Sequence, residues 1–95
     1  MPALIVFMRD RVRDKAEFDI CSSPAGATLA GHTVKPHVVY NRCETLESAP
    51  TEGAVILEFP SMEAAKTWYE SPAYRAAREH RFKSADYRVF ITETV

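Results

Sequence analysis

Three residues of this 95-residue chain are the candidates for holding an anion or moving a proton, namely His37, Glu58 and Arg81. Arg81 closes a helically spaced stripe of Tyr74, Ala77, Arg78 and Arg81, so it shares a face with aromatic and small residues. On such a face a guanidinium can hold a carboxylate or an enolate. It can equally tie its helix to an acid such as Glu58 or Asp86, or reach out to water. Glu58 interrupts the apolar run "AVILEF". Facing a cavity it would have a raised pKa and serve as general acid or base. Facing a neighbouring strand it would pair with Arg9 or Arg88. His32, His37 and His80 are of the residue type that most often serves as a general base, and His37 comes first because it starts a strand beside the expected cavity mouth. The aromatic residues Phe18, Tyr40, Trp68, Tyr69 and Tyr74 are the candidate walls of a substrate site. Trp68 and Tyr69, adjacent on one helix, project about 100° apart, so one can line a cavity while the other packs elsewhere.

Other chemistries lack their residues. The histidines, and Cys21 with Cys43, have no metal-ligand spacing, so no metal is expected and the cysteines read as small buried hydrophobes. There is no glycine-rich phosphate loop and no nucleophile elbow. No haem or flavin pocket is marked, so no cofactor is expected. A formal net charge of -1 argues against duplex nucleic acid or an anionic membrane as partner. The apolar start before Arg9 is too short for a signal-peptide core, and no stretch is long enough to span a bilayer. The expectation is a reduced, cytoplasmic protein. Hydrophobic residues at 46% and charged residues at 26% are ordinary for a globular domain, and the length fits one domain over residues 1–95.

The elements that must position these residues are legible in outline. "PALIVFM" (2–8) reads as a buried strand. "DKAEFDICS" (14–22) reads as a helix with Asp14 as N-cap, placing Phe18 and Cys21 on one face until Pro24 interrupts it. Residues 25–32 form a weak helical turn or stay irregular, with Gly31 as a stop. "TVKPHVVYN" (33–41) has strand composition, and Pro36 confines it to a sheet edge. Residues 43–53 read as a loop. "AVILEF" (54–59) reads as a central strand. Ser61 caps one helix, and Ser71 caps a second whose first residue is Pro72, so the Ser-Pro pair stops and restarts the helix. "YRVFITE" (87–93) is the last strand. The order strand, helix, strand, strand, helix, strand gives an antiparallel four-stranded sheet with both helices on one face, the second and fourth strands at its edges.

Alternation along the third and fourth strands leaves neither sheet face purely polar: Val55, Leu57 and Phe59 oppose Ile56 and Glu58, and Tyr87, Val89 and Ile91 oppose Arg88, Phe90 and Thr92. A sheet roofed on one side only is best shielded by a second copy, so a homodimer through the sheet faces is expected. The topology is also that of an RNA-recognition motif, but the third strand lacks its basic and aromatic stacking positions.

The second half of the chain resembles the DUF1330 family of small, mostly bacterial domains of uncharacterised function. The resemblance rests on Phe59, Pro60 and Ser61, on Glu63, Ala64 and Ala65 at a helix start, on Trp68, Tyr69, Ser71, Pro72 and Tyr74, and on Arg81 seven residues beyond that tyrosine. It implies a ferredoxin-like βαββαβ fold of the dimeric α+β barrel type. Enzymes of that wider group include cofactor-free monooxygenases, cyclases, lyases and haem-degrading enzymes. The first half departs from the pattern: of the expected glycines only Gly31 remains, before His32, and Ser48 stands where glycine is favoured. The expected function is a cofactor-independent enzyme of cyclase, isomerase or lyase type, acting on a small oxygenated molecule between helices and sheet. His37 or Glu58 would move a proton and Arg81 would hold an anion. The alternatives are a cofactor-free monooxygenase and a non-catalytic ligand-binding or oligomerisation module.

Overall fold

The computed structural model of the chain describes residues 1–19 and 26–95. Its elements are β1 (Ala3–Val12), a helix α1 described over 15–19, a 3-10 turn (Gly26–Leu29), β2 (Lys35–Val39), β3 (Gly53–Phe59), α2 (Met62–Tyr69), α3 (Pro72–Ser84) and β4 (Ala85–Glu93). The strands form one antiparallel sheet in the order β2-β3-β1-β4. This is the expected ferredoxin-like α+β arrangement, with the proline-bearing strand at an edge.

The caps lie where the side chains demand them. Asp14 Oδ1 accepts from the Glu17 amide at 3.1 Å, and Ser61 Oγ accepts from Ala64 N at 3.1 Å. Ser71 Oγ donates to the Trp68 carbonyl at 2.7 Å while accepting from Tyr74 N. One hydroxyl thus closes α2 and opens α3, satisfying donors and acceptors that helix ends leave orphaned. Two boundaries differ from expectation. β1 runs to Val12 because its second half pairs with the start of β4 through an irregularity between Arg9 and Arg11. α3 passes into β4 without a loop, the Arg13 guanidinium donating to the carbonyls of Phe82, Lys83 and Ala85 at the junction. Cys21, Pro24 and the end of the expected 14–22 helix lie outside the described residues.

Cross-strand register sorts the side chains onto two faces. On the helix side Leu57, Ile5 and Ile91 form one row and Val55, Phe7 and Val89 the next. α2 covers this side against β1, β3 and β4, and α3 covers β4. The core is aromatic: Trp68 is 2% exposed and lies 4.2 Å from Tyr74, 5.6 Å from Phe59 and 6.3 Å from Phe7 between ring centroids. Burying a side chain of the Phe class is worth about 1.5–3 kcal/mol, so these rings dominate the cohesion of helices and sheet. On the opposite side Val38, Ile56, Val6 and Phe90 are cross-strand neighbours and make an apolar row over all four strands. No described element covers that row. Among the described residues no helix is long and apolar enough to cross a membrane.

Among the described residues the positive φ angles, Tyr40 with 55° included, lie in the connections. Ser48 has φ 69° and Gly31 φ 83°, both in the left-handed region that favours glycine. Ser48 thus holds a conformation that glycine adopts without steric cost. Cys43 corrects its expected burial: it lies exposed in the connection after β2, where residues 41–50 are exposed throughout.

Candidate functional site

Between the helices and the sheet lies a cavity of about 290 Å³. Phe7, Val55, Leu57 and Tyr87 form its floor, Pro36, Val39 and Tyr40 one side, Trp68, Tyr74 and Arg81 the roof, and Phe18, Gly26 and Leu29 the remaining wall. This is near the lower end of the volumes of small-molecule sites, and its mostly apolar wall with a few polar groups is their usual chemistry.

Arg81 enters because α3 presents the stripe Tyr74, Ala77, Arg81 and Ser84 to the core. It is 5% exposed. Its guanidinium lies 5.0 Å from the Tyr87 ring centroid, 5.1 Å from Phe82 and 5.6 Å from Phe7. Its Nη2 donates to the Tyr69 hydroxyl at 3.3 Å. No carboxylate among the described residues pairs with it, and its Nε is buried without a hydrogen-bond partner. The acids expected as alternatives are engaged elsewhere. Asp86 accepts from Arg11 and Arg13 at 2.7 and 2.9 Å, and the Arg11 bond in particular holds its carboxyl below the usual range. Glu58 is bound to His37. A buried cation without an anion is costly. A shallow depression on the outer side of Arg81 contains Asp86, whose charge disfavours an anion there.

The other expected site residues divide. Phe18, Tyr40, Trp68 and Tyr74 line the cavity with Arg81. Tyr69 does not line it but holds Arg81 from behind, its ring 5.4 Å from that of Tyr74. His37 and Glu58 are not beside Arg81, which corrects the expected three-residue constellation. Glu58 alternates with Leu57 and Phe59, both buried under the helices, so it points to the uncovered face. β2 shifts register between Pro36 and Val38, and the extra residue, His37, points the same way, its Nε2 2.9 Å from Glu58 Oε1. His80 joins α3 to α1 through Glu17, Nδ1 to Oε1, at 2.6 Å. His32 follows the 3-10 turn, its amide bonded to Leu29 O. None of the three histidines lines the cavity.

The sequence reading missed the end of the sheet where Gly53, Arg9 and Tyr87 are cross-strand neighbours. Tyr87 Oη lies 2.6 Å from Tyr40 Oη. The Arg9 guanidinium stacks 4.6 Å from the Tyr40 ring centroid and 5.4 Å from that of Phe18, and its Nε pairs with Glu52 at 3.4 Å. Burial, then the bond to Tyr40, push the Tyr87 hydroxyl far above the usual phenol range, with Arg9 pulling the other way. Alternation had assigned Tyr87 to the face of Val89 and Ile91, which was the available signal. Its meeting with Tyr40 depends on the register between β4, β1 and β3. Among the described residues no group of three or more His, Cys, Asp and Glu converges as metal ligands do.

The model of a family described as a domain of unknown function, DUF1330, matches residues 2–95. No curated protein matches the chain. Among solved structures, a protein of unknown function from Rhodopseudomonas palustris superposes with a TM-score of 0.76 at 19% identity, over 99% of this chain and 82% of that one. A dimeric protein of unknown function with a ferredoxin-like fold from Bacteroides fragilis gives 0.65 at 14% identity, over 98% and 96%. SnoaB, a cofactor-independent oxygenase from Streptomyces nogalater, gives 0.62 at 9% identity, over 99% and 92%. At these identities the likeness is one of fold.

Proposed function

Since this chain belongs to the DUF1330 family, a domain of unknown function, we propose a function from the site itself: a small cofactor-independent enzyme whose substrate is a compact, largely apolar, oxygenated organic anion. The observation that carries this reading is Arg81, a buried guanidinium with no carboxylate partner among the described residues, on the wall of an aromatic cavity of about 290 Å³. The substrate's carboxylate or enolate oxygen supplies the missing charge. When a proton leaves a carbon next to a carbonyl, the electron pair moves onto the carbonyl oxygen, and fixed donors aimed there stabilise the oxyanion. Arg81 and the tyrosine hydroxyls are such donors, with solvent carrying the proton. Isomerisation, cyclisation and elimination all pass through such an oxyanion. The fold shared with a cofactor-independent oxygenase supports the cofactor-free part of this reading. The working unit is a homodimer joined through the row Val38, Ile56, Val6 and Phe90, supported by the dimeric Bacteroides fragilis protein of the same fold. In that dimer His37 and Glu58 lie at the seam rather than at the substrate.

A second reading, a non-catalytic binding module, is favoured by the absence of any His, Asp or Glu side chain from the described lining of the cavity. One experiment separates the two. Phenylpyruvate carries an aromatic ring, a carboxylate and an enolisable carbon. In deuterated buffer the enzyme accelerates exchange of its C3 protons, followed by proton NMR, and Arg81→Met removes the acceleration. Saturable binding of phenylpyruvate without faster exchange assigns the binding module. No saturable binding of any aromatic carboxylate at millimolar concentration overturns both.

A further inference from the structure

Tyr40 stands out on independent grounds. Its φ is 55°, a conformation that bulky residues adopt only when their surroundings enforce it. Strain of this kind gathers at sites where a side chain must be aimed. The enforcing contacts are visible. Tyr40 N donates to Ala54 O at 2.8 Å, and Asn41 Oδ1 accepts from Val39 N at 2.9 Å. The Tyr40 ring then lies over Gly53, where a Cβ would come within 2.8 Å of its Cδ1. The chain keeps a glycine beneath a strained tyrosine, and the result is to bring the Tyr40 hydroxyl onto that of Tyr87.

Tyr87 is the deeper of the two. At 2.6 Å either hydroxyl can donate to the other, and in the order where Tyr87 donates to Tyr40 Oη the Tyr40 proton is free to meet a third oxygen. The Arg9 guanidinium lies over the Tyr40 ring, and its charge acts on the Tyr87 hydroxyl against the effect of burial. Both tyrosines line the same cavity as Arg81, while the Arg81 guanidinium sits over the face of the Tyr87 ring rather than at its hydroxyl.

We propose that Arg9, Tyr87 and Tyr40 form a second polar subsite, in which Tyr40 donates a hydrogen bond to a hydroxyl, carbonyl or phenolate oxygen of the ligand, so that the natural substrate is a planar aromatic acid with a second oxygen function. The inference rests on the proposed anion site at Arg81, which takes the carboxylate. The aromatic walls Phe7, Phe18 and Trp68 take the ring.

The test uses the intrinsic fluorescence of Trp68, the single tryptophan of the chain, in titrations with benzoate and with 2-, 3- and 4-hydroxybenzoate, which span the separations a second oxygen could have. At least one hydroxybenzoate binds about ten-fold more tightly than benzoate, the difference of one well-placed hydrogen bond. Tyr40→Phe abolishes that gain, so that the hydroxybenzoate and benzoate bind this variant within about two-fold of each other. Tyr87→Phe, which keeps the ring, reduces the gain by removing the donor behind Tyr40. If benzoate binds through Arg81 but no isomer gains, or the gain survives Tyr40→Phe, the subsite is wrong and the anion site stands. If benzoate itself does not bind, the anion site fails and this inference with it.

Discussion

Replacing Arg81 by methionine separates a ligand-binding arginine from a structural one. The substitution removes one hydrogen bond to Tyr69 Oη, long at 3.3 Å and so worth about 1 kcal/mol. It also removes cation–π contacts with three rings at 5.0–5.6 Å, together about 1–2 kcal/mol. In return it eliminates a buried donor without a partner, Nε, which costs about 1–3 kcal/mol to keep. Methionine retains an apolar stem and gains sulfur–aromatic contacts of about 0.3–1.5 kcal/mol. The terms nearly cancel, so stability changes by about 1 kcal/mol or less, a Tm shift of about 4–8 °C at most for a chain of this size. Binding of an aromatic carboxylate behaves differently. It loses charge-assisted hydrogen bonds worth about 1.5–3 kcal/mol, a weakening of about 10- to 150-fold. The assay is thermal unfolding followed by circular dichroism at fixed protein concentration, beside Trp68 fluorescence titration with benzoate. A fall in Tm well beyond 10 °C with unchanged benzoate affinity would show Arg81 to be a tie between α3 and the sheet, and the proposed function would lose its basis.

Four further outcomes follow from particular residues. Gly53→Ala drives a Cβ to 2.8 Å from Tyr40 Cδ1, so it destabilises the chain by about 1–3 kcal/mol in urea unfolding and displaces the Tyr40 ring. Ser48→Gly relieves a left-handed residue at φ 69°; the strain of about 1–2 kcal/mol, less the extra freedom glycine has in the unfolded chain, leaves a gain of about 0.5–1 kcal/mol readable in the same assay. Tyr87 has its pKa raised in the folded state, so the stability it contributes is complete below the unfolded phenol value near 10 and is lost as pH rises above it. Alkaline unfolding should therefore become less steep in Tyr87→Phe, and an identical alkaline limb in the two proteins would contradict its burial. Phe90→Glu puts a charge on the uncovered apolar row and converts the proposed dimer to monomer in sedimentation velocity, with far-ultraviolet circular dichroism unchanged.

Features that depend on near neighbours along the chain were legible before any folding. Asp14, Ser61 and Ser71 had to cap helices because their short side chains reach the amides of the first turn. Pro36 had to sit on an edge because it has no amide to donate. Period-two alternation put Tyr87 with Val89 and Leu57 with Phe59. Helical spacing put Arg81 on one face with Tyr74, whereas its burial there came only from the packing of α3 on the sheet. Which of the polar residues meet is a property of the folded sheet. One extra residue in β2 turns His37 to the uncovered face, beside Glu58 and away from Arg81, and no pattern along a single strand reveals a bulge in its pairing. The contact of Tyr40 with Tyr87 spans 47 positions and requires the registers of three strands together with a left-handed backbone at Tyr40. Caps and alternation are set by neighbours a few residues away, whereas a site is set by register and twist, which belong to the whole sheet.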